Sequence, residues 1–306
     1  MHPDAGLNSS TRYIGRFAPS PTGPLHFGSL VAALGSWLDT RSAGGQWHVR
    51  LDDLDRPRCV PGAGEDILRT LEAFGLVPDG PVVRQSGRDA VYGEALDRLI
   101  DLELAFPCAC SRRDIREAGR VGPAGPIYPG TCRGGLPPGR RARSWRFAVS
   151  AEPVTFTDRL CGSRTVDLPG EIGDFVIRRA DGLFAYHLAM VVDDAELGVT
   201  DVVRGGDLLD CTAPQIALQR ALGLPMPRYL HLPVAVHPNG SKLSKQTQAP
   251  AIRAERAPEH LIDALRFLGM DADVAPGDAG IDELLAWAIP RWHPARLPRE
   301  ATLPAP

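Results

Sequence analysis

The chain has 306 residues, 43% of them hydrophobic, and only six cysteines, so it is long enough for roughly two domains and apolar enough to fold by burial without a disulfide framework. A formal net charge of -3 excludes a generally basic nucleic-acid coat, so any nucleic acid has to meet a local patch. The opening MHPDAGLNSSTRYIG has neither a basic start nor an apolar run, and no window is apolar for long enough to span a bilayer; a cytoplasmic protein with no membrane partner is expected.

In chain order, RYIGRFA reads as a strand that runs into the loop PSPTGPLHFG. From Ser29, SLVAALGSWLDTRSAGG sets Leu30, Leu34, Trp37 and Leu38 at helical spacing and stops at Gly44 and Gly45. QWHVRLDD alternates, with Trp47, Val49 and Leu51 on one face and His48, Arg50 and Asp52 on the other, a polar row able to face a site. Amphipathic helices are predicted around residues 65–74 and 88–104, and a Gly- and Pro-rich stretch at 107–139 then interrupts the rhythm as an insertion. Strand patterns resume in SWRFAV and throughout FVIRRADGLFAYHLA, where Asp181-Gly182 signals a hairpin. VTDVVRG, the helix TAPQIALQRALGL, the strand YLHLPVAV with its PNG turn and a mostly helical tail complete the chain. Such alternation favours a parallel sheet covered by helices.

The loop after the first strand is chemically informative. Proline fixes φ and glycine removes Cβ, so SPTGPLHFGS can hold a shaped turn against a ligand, and the helix N-terminus beyond it favours phosphate, with His26 as an added donor. Late in the α/β region, GSKLSKQ carries two lysines flanking Ser244, ammonium groups able to follow charge on transferring phosphates. Taken singly, a Pro-rich structural turn and a solvated Lys/Ser loop are the plainer readings. In this order and separation the two are far more specific. In the insertion, Cys108, Cys110 and Cys132 supply three soft thiolates where little apolar content is present to pack the segment, which suits a tetrahedral zinc site. Cys59, Cys161 and Cys211 are isolated and read as ordinary packing residues.

PLHFGS and KLSKQ resemble the two signature motifs of class I aminoacyl-tRNA synthetases, and RFAPSPTG resembles the glutamyl and glutaminyl branch in particular; RLDDLD, FAYHLAMVVDD and VVRGGDLL extend the likeness over residues 12–246. The resemblance implies an α/β fold built on a Rossmann-type parallel sheet. A catalytic domain would occupy 12–106 and 146–246, with a zinc-binding insertion at 107–145 between its halves and a short helical region at 247–306. It implies a catalytic set of His26, Gly28, Lys242 and Lys245, with His26, Gly28, Ser29 and Lys245 on ATP. Arg16, Phe17, Ala18, Pro19, Ser20, Asp52, Tyr186 and Arg204 would hold glutamate. It also places a tyrosine, here Tyr128, as fourth ligand to a structural Zn²⁺, and Mg²⁺ with the ATP. Where this branch usually reads R-I-E-D, the chain has Asp52, one methylene shorter, as its candidate for the substrate ammonium; Met190 stands where some relatives are polar, and Asp53 and Asp55 read as supports for the strand end and turn.

Too few residues follow Lys245 for a separate anticodon-binding region. Within the family this points to the short paralogues that activate glutamate without tRNA and esterify it onto the queuosine base in the anticodon of tRNA(Asp). The partners implied are glutamate, ATP and that tRNA, with a monomer as the working unit. Two alternatives stay open: charging of a tRNA 3′ end, and a non-catalytic zinc-containing RNA-binding paralogue. Arg140, Arg141 and Arg143, in the basic run RGGLPPGRRARSWR, are candidate phosphate contacts.

Overall fold

The computed structural model describes residues 12–119, 121–123, 125–243, 249–272 and 279–306. The first unit is β1 (Ile14–Phe17), α1 (Phe27–Ser42) and β2 (Gln46–Leu51), a βαβ crossover in which β1 and β2 run parallel with Arg16 opposite His48. The helix begins two residues before Ser29 because His26 caps it. It is buried nearly all round: Leu30, Leu34 and Leu38 are at most 1% exposed, so its polar residues must bond inward. Thr40 donates to the Ser36 carbonyl at 2.8 Å, and the Ser36 hydroxyl accepts the Trp47 indole N–H at 3.0 Å. Gly35 lets the helix close on the sheet, since a Cβ there would sit 2.6 Å from Leu232 Cδ1.

There follow α2 (Ala63–Ala73), β3 (Val83–Arg84), α3 (Asp89–Asp101) and β4 (Ala105–Cys108). The insertion carries α4 (Arg112–Ala118) and a small ribbon of β5 (Val121–Gly122) and β6 (Gly125–Pro126). Beyond it come β7 (Ser144–Phe147), the hairpin β8 (Val154–Asp158) and β9 (Gly162–Val166), the short α5 (Leu168–Glu171) and β10 (Phe175–Arg178). Next are α6 (Tyr186–Glu196), β11 (Asp201–Gly205), α7 (Thr212–Leu222), β12 (Arg228–Leu232) and β13 (Val234–Val236). The chain closes with α8 (Ala257–Phe267), α9 (Ile281–Ala288) and β14 (Thr302–Pro304).

Hydrogen-bonded strand orders are β1-β2-β3, β11-β12-β8-β9 and β10-β7-β4. β1 and β11 lie side by side, the Thr200 amide donating to the Ile14 carbonyl at 2.9 Å. Strand order therefore reverses between β1 and β11, the switch point at which open α/β sheets bind ligands. The C-terminal helices belong to the same apolar core as α1: Phe267 meets Phe27 edge to face at 5.5 Å, and Leu261 and Leu265 are fully buried. A separate small cluster of Phe106, Cys108, Ala109, Tyr128 and Cys132 packs the insertion. Among the described residues no helix is long and apolar enough to cross a membrane.

Four readings of the sequence change. The strand pattern expected through residues 175–189 ends at Arg178, and Tyr186 begins a helix; its run Leu188 to Val192 is buried, and periodicity cannot separate a buried helix from a buried strand. The single strand YLHLPVAV breaks at Pro233, which has no N–H for a ladder, so β13 leaves β12's sheet and pairs instead with β14, a strand inside a tail read as mostly helical. Arg50 does not face a site but is fully buried. Cys161, expected to pack, is exposed.

Candidate active site

A cavity of about 620 Å³ opens where β1, β11 and the start of α1 meet. Arg16, Phe17, Ala18, Pro19, Ser20, His26, Gly28, Ser29, Tyr186, Arg204 and Lys242 all line it. Asp52 does not, although its amide donates to the Pro19 carbonyl at 2.9 Å and so ties it to the cavity floor. Lys245 lies outside the described residues.

At the nucleotide end, His26 is the N-cap of α1: its backbone is extended and its Nδ1 accepts the Ser29 amide at 3.3 Å. That bond puts the proton of the neutral ring on Nε2. Gly28 lies directly beneath it, and a Cβ there would come within 3.2 Å of His26 Cε1 and 3.3 Å of Nδ1, so this glycine gives the ring its place. The second motif reaches the same spot: Leu243 donates to the Ala235 carbonyl, Lys242 bridges to Val236, and past the loop Ala251 bridges to His26. Lys242 is ion-paired to Asp207, which also lines the cavity.

At the other end the cavity wall is built from buried charge. Arg16 Nε pairs with Asp194 of α6 at 3.2 Å, and Arg50 donates to Asp194 at 2.7 Å and to Asp52 at 2.7 Å. Burial alone would raise the Asp194 carboxyl, yet Arg16 and Arg50 hold it below the usual carboxylate range. Asp52 behaves oppositely: burial outweighs Arg50, helped by Asp193 and Asp194, and its pKa rises to about 6. Asp193, accepting from Gln85, Arg88 and Tyr92, anchors α6 to α3. Met190, on the same turn of α6 as Asp193 and Asp194, places its sulfur against both guanidinium groups and lines the cavity.

Arg204 is built differently. It is 4% exposed, and Nε donates to His231 Nε2 at 3.0 Å, Nη1 to Gln215 Oε1 at 2.9 Å and Nη2 to Thr212 Oγ1 at 2.9 Å. Among the described residues no carboxylate lies within ion-pair distance of it. Beside it, the Tyr186 hydroxyl is buried with no hydrogen-bond partner among the described residues, and burial outweighs the opposing Arg204 charge and raises its pKa, so that it is a neutral donor. An uncompensated cation next to an idle O–H is a receptor for an anion with a second acceptor atom.

In the insertion, Cys108, Cys110 and Cys132 place their sulfurs within 4.8 Å of one another. The Cys110 to Cys132 separation of 3.8 Å is the edge of a tetrahedron with bonds of about 2.3 Å, the length of a zinc–thiolate bond. Tyr128 Oη stands 3.5 Å from Cys108 Sγ and 4.0 Å from Cys110 Sγ. Burial opposes thiolate formation at Cys108, but bonds from Tyr128 and from Arg146 Nε, 3.3 Å away, prevail and lower its pKa. The donor set therefore fits a tetrahedral metal. Arg146 also lies over the Tyr128 ring, 3.9 Å from its centroid, and so holds the phenol in place.

Asp193, Asp194, His231, Gln215 and Asp207 carried no role in the sequence reading. VVDD and GGDLL were visible as motifs, but His231 and Gln215 had no local signal at all.

A parallel sheet with a reversal of strand order, a histidine-capped helix start and Lys242 on the same cavity define a class I synthetase-like α/β domain. The family described as the catalytic domain of class I tRNA synthetases (E and Q) matches residues 14–276, and the chain belongs to it; it is a ligase. It is 55% identical over 296 residues to a glutamyl-Q tRNA(Asp) synthetase of Dechloromonas aromatica, covering 96% of this chain and 98% of that one. A protein of the same name from Chromobacterium violaceum is 54% identical, covering 95% and 97% of the two chains. Among solved structures, a glutamate tRNA ligase of Elizabethkingia meningosepticum in complex with its amino acid aligns with a TM-score of 0.77 at 26% identity, over 96% of this chain and 67% of that one. The methionyl-tRNA synthetase of Mycobacterium tuberculosis shares the fold alone, with a TM-score of 0.51 at 14% identity over 84% and 63% of the two chains.

Proposed function

We propose that this enzyme condenses glutamate with ATP to glutamyl-adenylate, without tRNA, and transfers glutamate to the queuosine base in the anticodon of tRNA(Asp). The observation that carries the reading is Arg204, a buried guanidinium whose partners among the described residues are neutral, set beside the Tyr186 hydroxyl in a cavity that also holds His26 and Lys242. The names of the relatives at 54–55% identity supply the acceptor.

In the first step an α-carboxylate oxygen of glutamate attacks the α-phosphorus of ATP, and the bond to the β-phosphate breaks to release pyrophosphate. Arg204 and Tyr186 hold the side-chain carboxylate, and Asp52, brought round from the end of β2, takes the ammonium group. The α1 N-terminus, with His26 Nε2–H, faces the phosphates, and Lys242 and Lys245 follow the charge that develops on them. Mg²⁺ accompanies the nucleotide. In the second step a cyclopentenediol hydroxyl of queuosine attacks the activated carbonyl, AMP leaves, and the hydroxyl proton is lost. Cys108, Cys110, Tyr128 and Cys132 would hold Zn²⁺, which would supply structure to the 107–145 insertion between the catalytic segments 12–106 and 146–246; within the 247–306 region α8 and α9 pack into the core of α1.

Incubation with labelled glutamate, ATP and tRNA(Asp) with and without queuosine tests this: label should appear only with queuosine and map to the anticodon fragment. Labelling independent of queuosine, at a 3′ end, would instead establish the second reading, which the likeness to a glutamate tRNA ligase favours.

A further inference from the structure

Arg204 and His231 occupy directly paired positions of the parallel strands β11 and β12, so their side chains leave the same face of the sheet. His231 is 1% exposed, and its two ring nitrogens meet opposite demands. Nδ1 is 2.7 Å from Asp158 Oδ2, while Nε2 is the acceptor for Arg204 Nε. Asp158 in turn is fixed at the β8–β9 turn: besides the ring it accepts the amides of His231, Leu160 and Cys161 at 3.1, 2.9 and 2.8 Å. A carboxylate so supplied with donors accepts from Nδ1–H, which leaves Nε2 without a proton and turned to the guanidinium.

We propose that His231, oriented by Asp158, is a positioning residue that sets specificity for a carboxylate substrate: with Thr212 and Gln215 it fixes Arg204 through neutral acceptors only. Three rigid bonds to three different groups immobilise the guanidinium, and none of them neutralises it. A carboxylate in any of these places would hold Arg204 equally well and remove the charge that the substrate needs. Arg16, held by Asp194, shows the other arrangement within the same cavity. The inference rests on the reading of Arg204 as the group that binds glutamate's carboxylate.

The test uses glutamate-dependent ATP–pyrophosphate exchange, together with calorimetric titration of glutamate and of ATP, on the full chain. His231→Asn keeps a donor toward Asp158 but withdraws the acceptor from Arg204; KM for glutamate should rise about tenfold with kcat and the ATP affinity within about twofold. His231→Gln, which can restore an acceptor near the Nε2 position, should recover most of the loss. Gln215→Glu is nearly isosteric and supplies the missing counter-charge, so glutamate binding should weaken by about a hundredfold while the melting temperature does not fall. Wild-type glutamate affinity in His231→Asn and Gln215→Glu overturns the proposal, as does a parallel loss of glutamate affinity, ATP affinity and melting temperature. Arg204→Ala separates the levels: if it leaves glutamate affinity intact, the underlying reading fails as well, whereas if it alone weakens binding only the positioning role fails.

Discussion

Arg16 and Arg204 line the same cavity, but among the described residues only Arg16 of the two is ion-paired, its Nε lying 3.2 Å from Asp194. One guanidinium is part of the wall and the other is held in readiness. On the proposed reading this contrast separates stability from recognition within one cavity.

Substitution should therefore split the two properties. Arg16→Gln breaks a buried pair and should lower stability by about 1–3 kcal/mol, read from denaturant unfolding. Arg204→Gln removes a buried cation without a carboxylate partner, so the melting temperature should hold, while KM for glutamate rises by about a hundredfold. Equal destabilisation by both would contradict the distinction.

The acid limb of the pH profile should belong to Asp52. Its pKa of about 6 leaves it ionised above that pH and protonated below, and only the ionised form can hold an ammonium group. kcat/KM for glutamate should then fall with unit slope below about pH 6, with the ATP affinity following no such limb. Asp52→Asn should flatten the limb at a uniformly low rate.

Gly28 is expected to act through its neighbour. A methyl group at that position presses on the His26 ring at 3.2 Å, so Gly28→Ala should reduce exchange by about tenfold with little change in melting temperature. His26→Ala should make the second substitution nearly silent, the non-additive result that a shared mechanism requires.

Metal analysis of the purified enzyme should find one zinc per chain, lost in Cys132→Ser. Because the cysteine cluster is the interior of its own small apolar group, that loss should lower the melting temperature by several degrees. None of Cys108, Cys110, Tyr128 and Cys132 lines the cavity, so exchange at low temperature should survive.

Arg141 and Arg143 are exposed and Arg140 is held by Asp114 at 3.2 Å. Neutralising the first two should weaken tRNA binding and reduce the salt slope by roughly one for each phosphate contact removed. An unchanged slope would place the tRNA elsewhere.

Local physics was readable along the chain: prolines that fix φ, a helix stripe of leucines and a glycine stop led to β1, α1 and the loop between them. The pairing of distant buried charges was not. Arg50 meets Asp194 across 144 positions, and Arg204 meets His231 only because two strands come into register. Tyr186 was singled out, but the helix that carries it looked like a strand because its aliphatic run is buried on every side. β14 is three residues long and has no pattern to detect; its partner exists only because Pro233 frees β13.

That short ribbon also braces the second motif. β13 runs through Val236 into the turn that carries Lys242, and the amide of Ala305 donates to the Val236 carbonyl at 2.9 Å while Val234 donates to Ala301 at 3.0 Å. The strand that leads to Lys242 is thus clamped by residues 301–305. None of the residues 301–305 lines the cavity, so trimming them would remove no cavity side chain and yet loosen the strand that aims Lys242 at it.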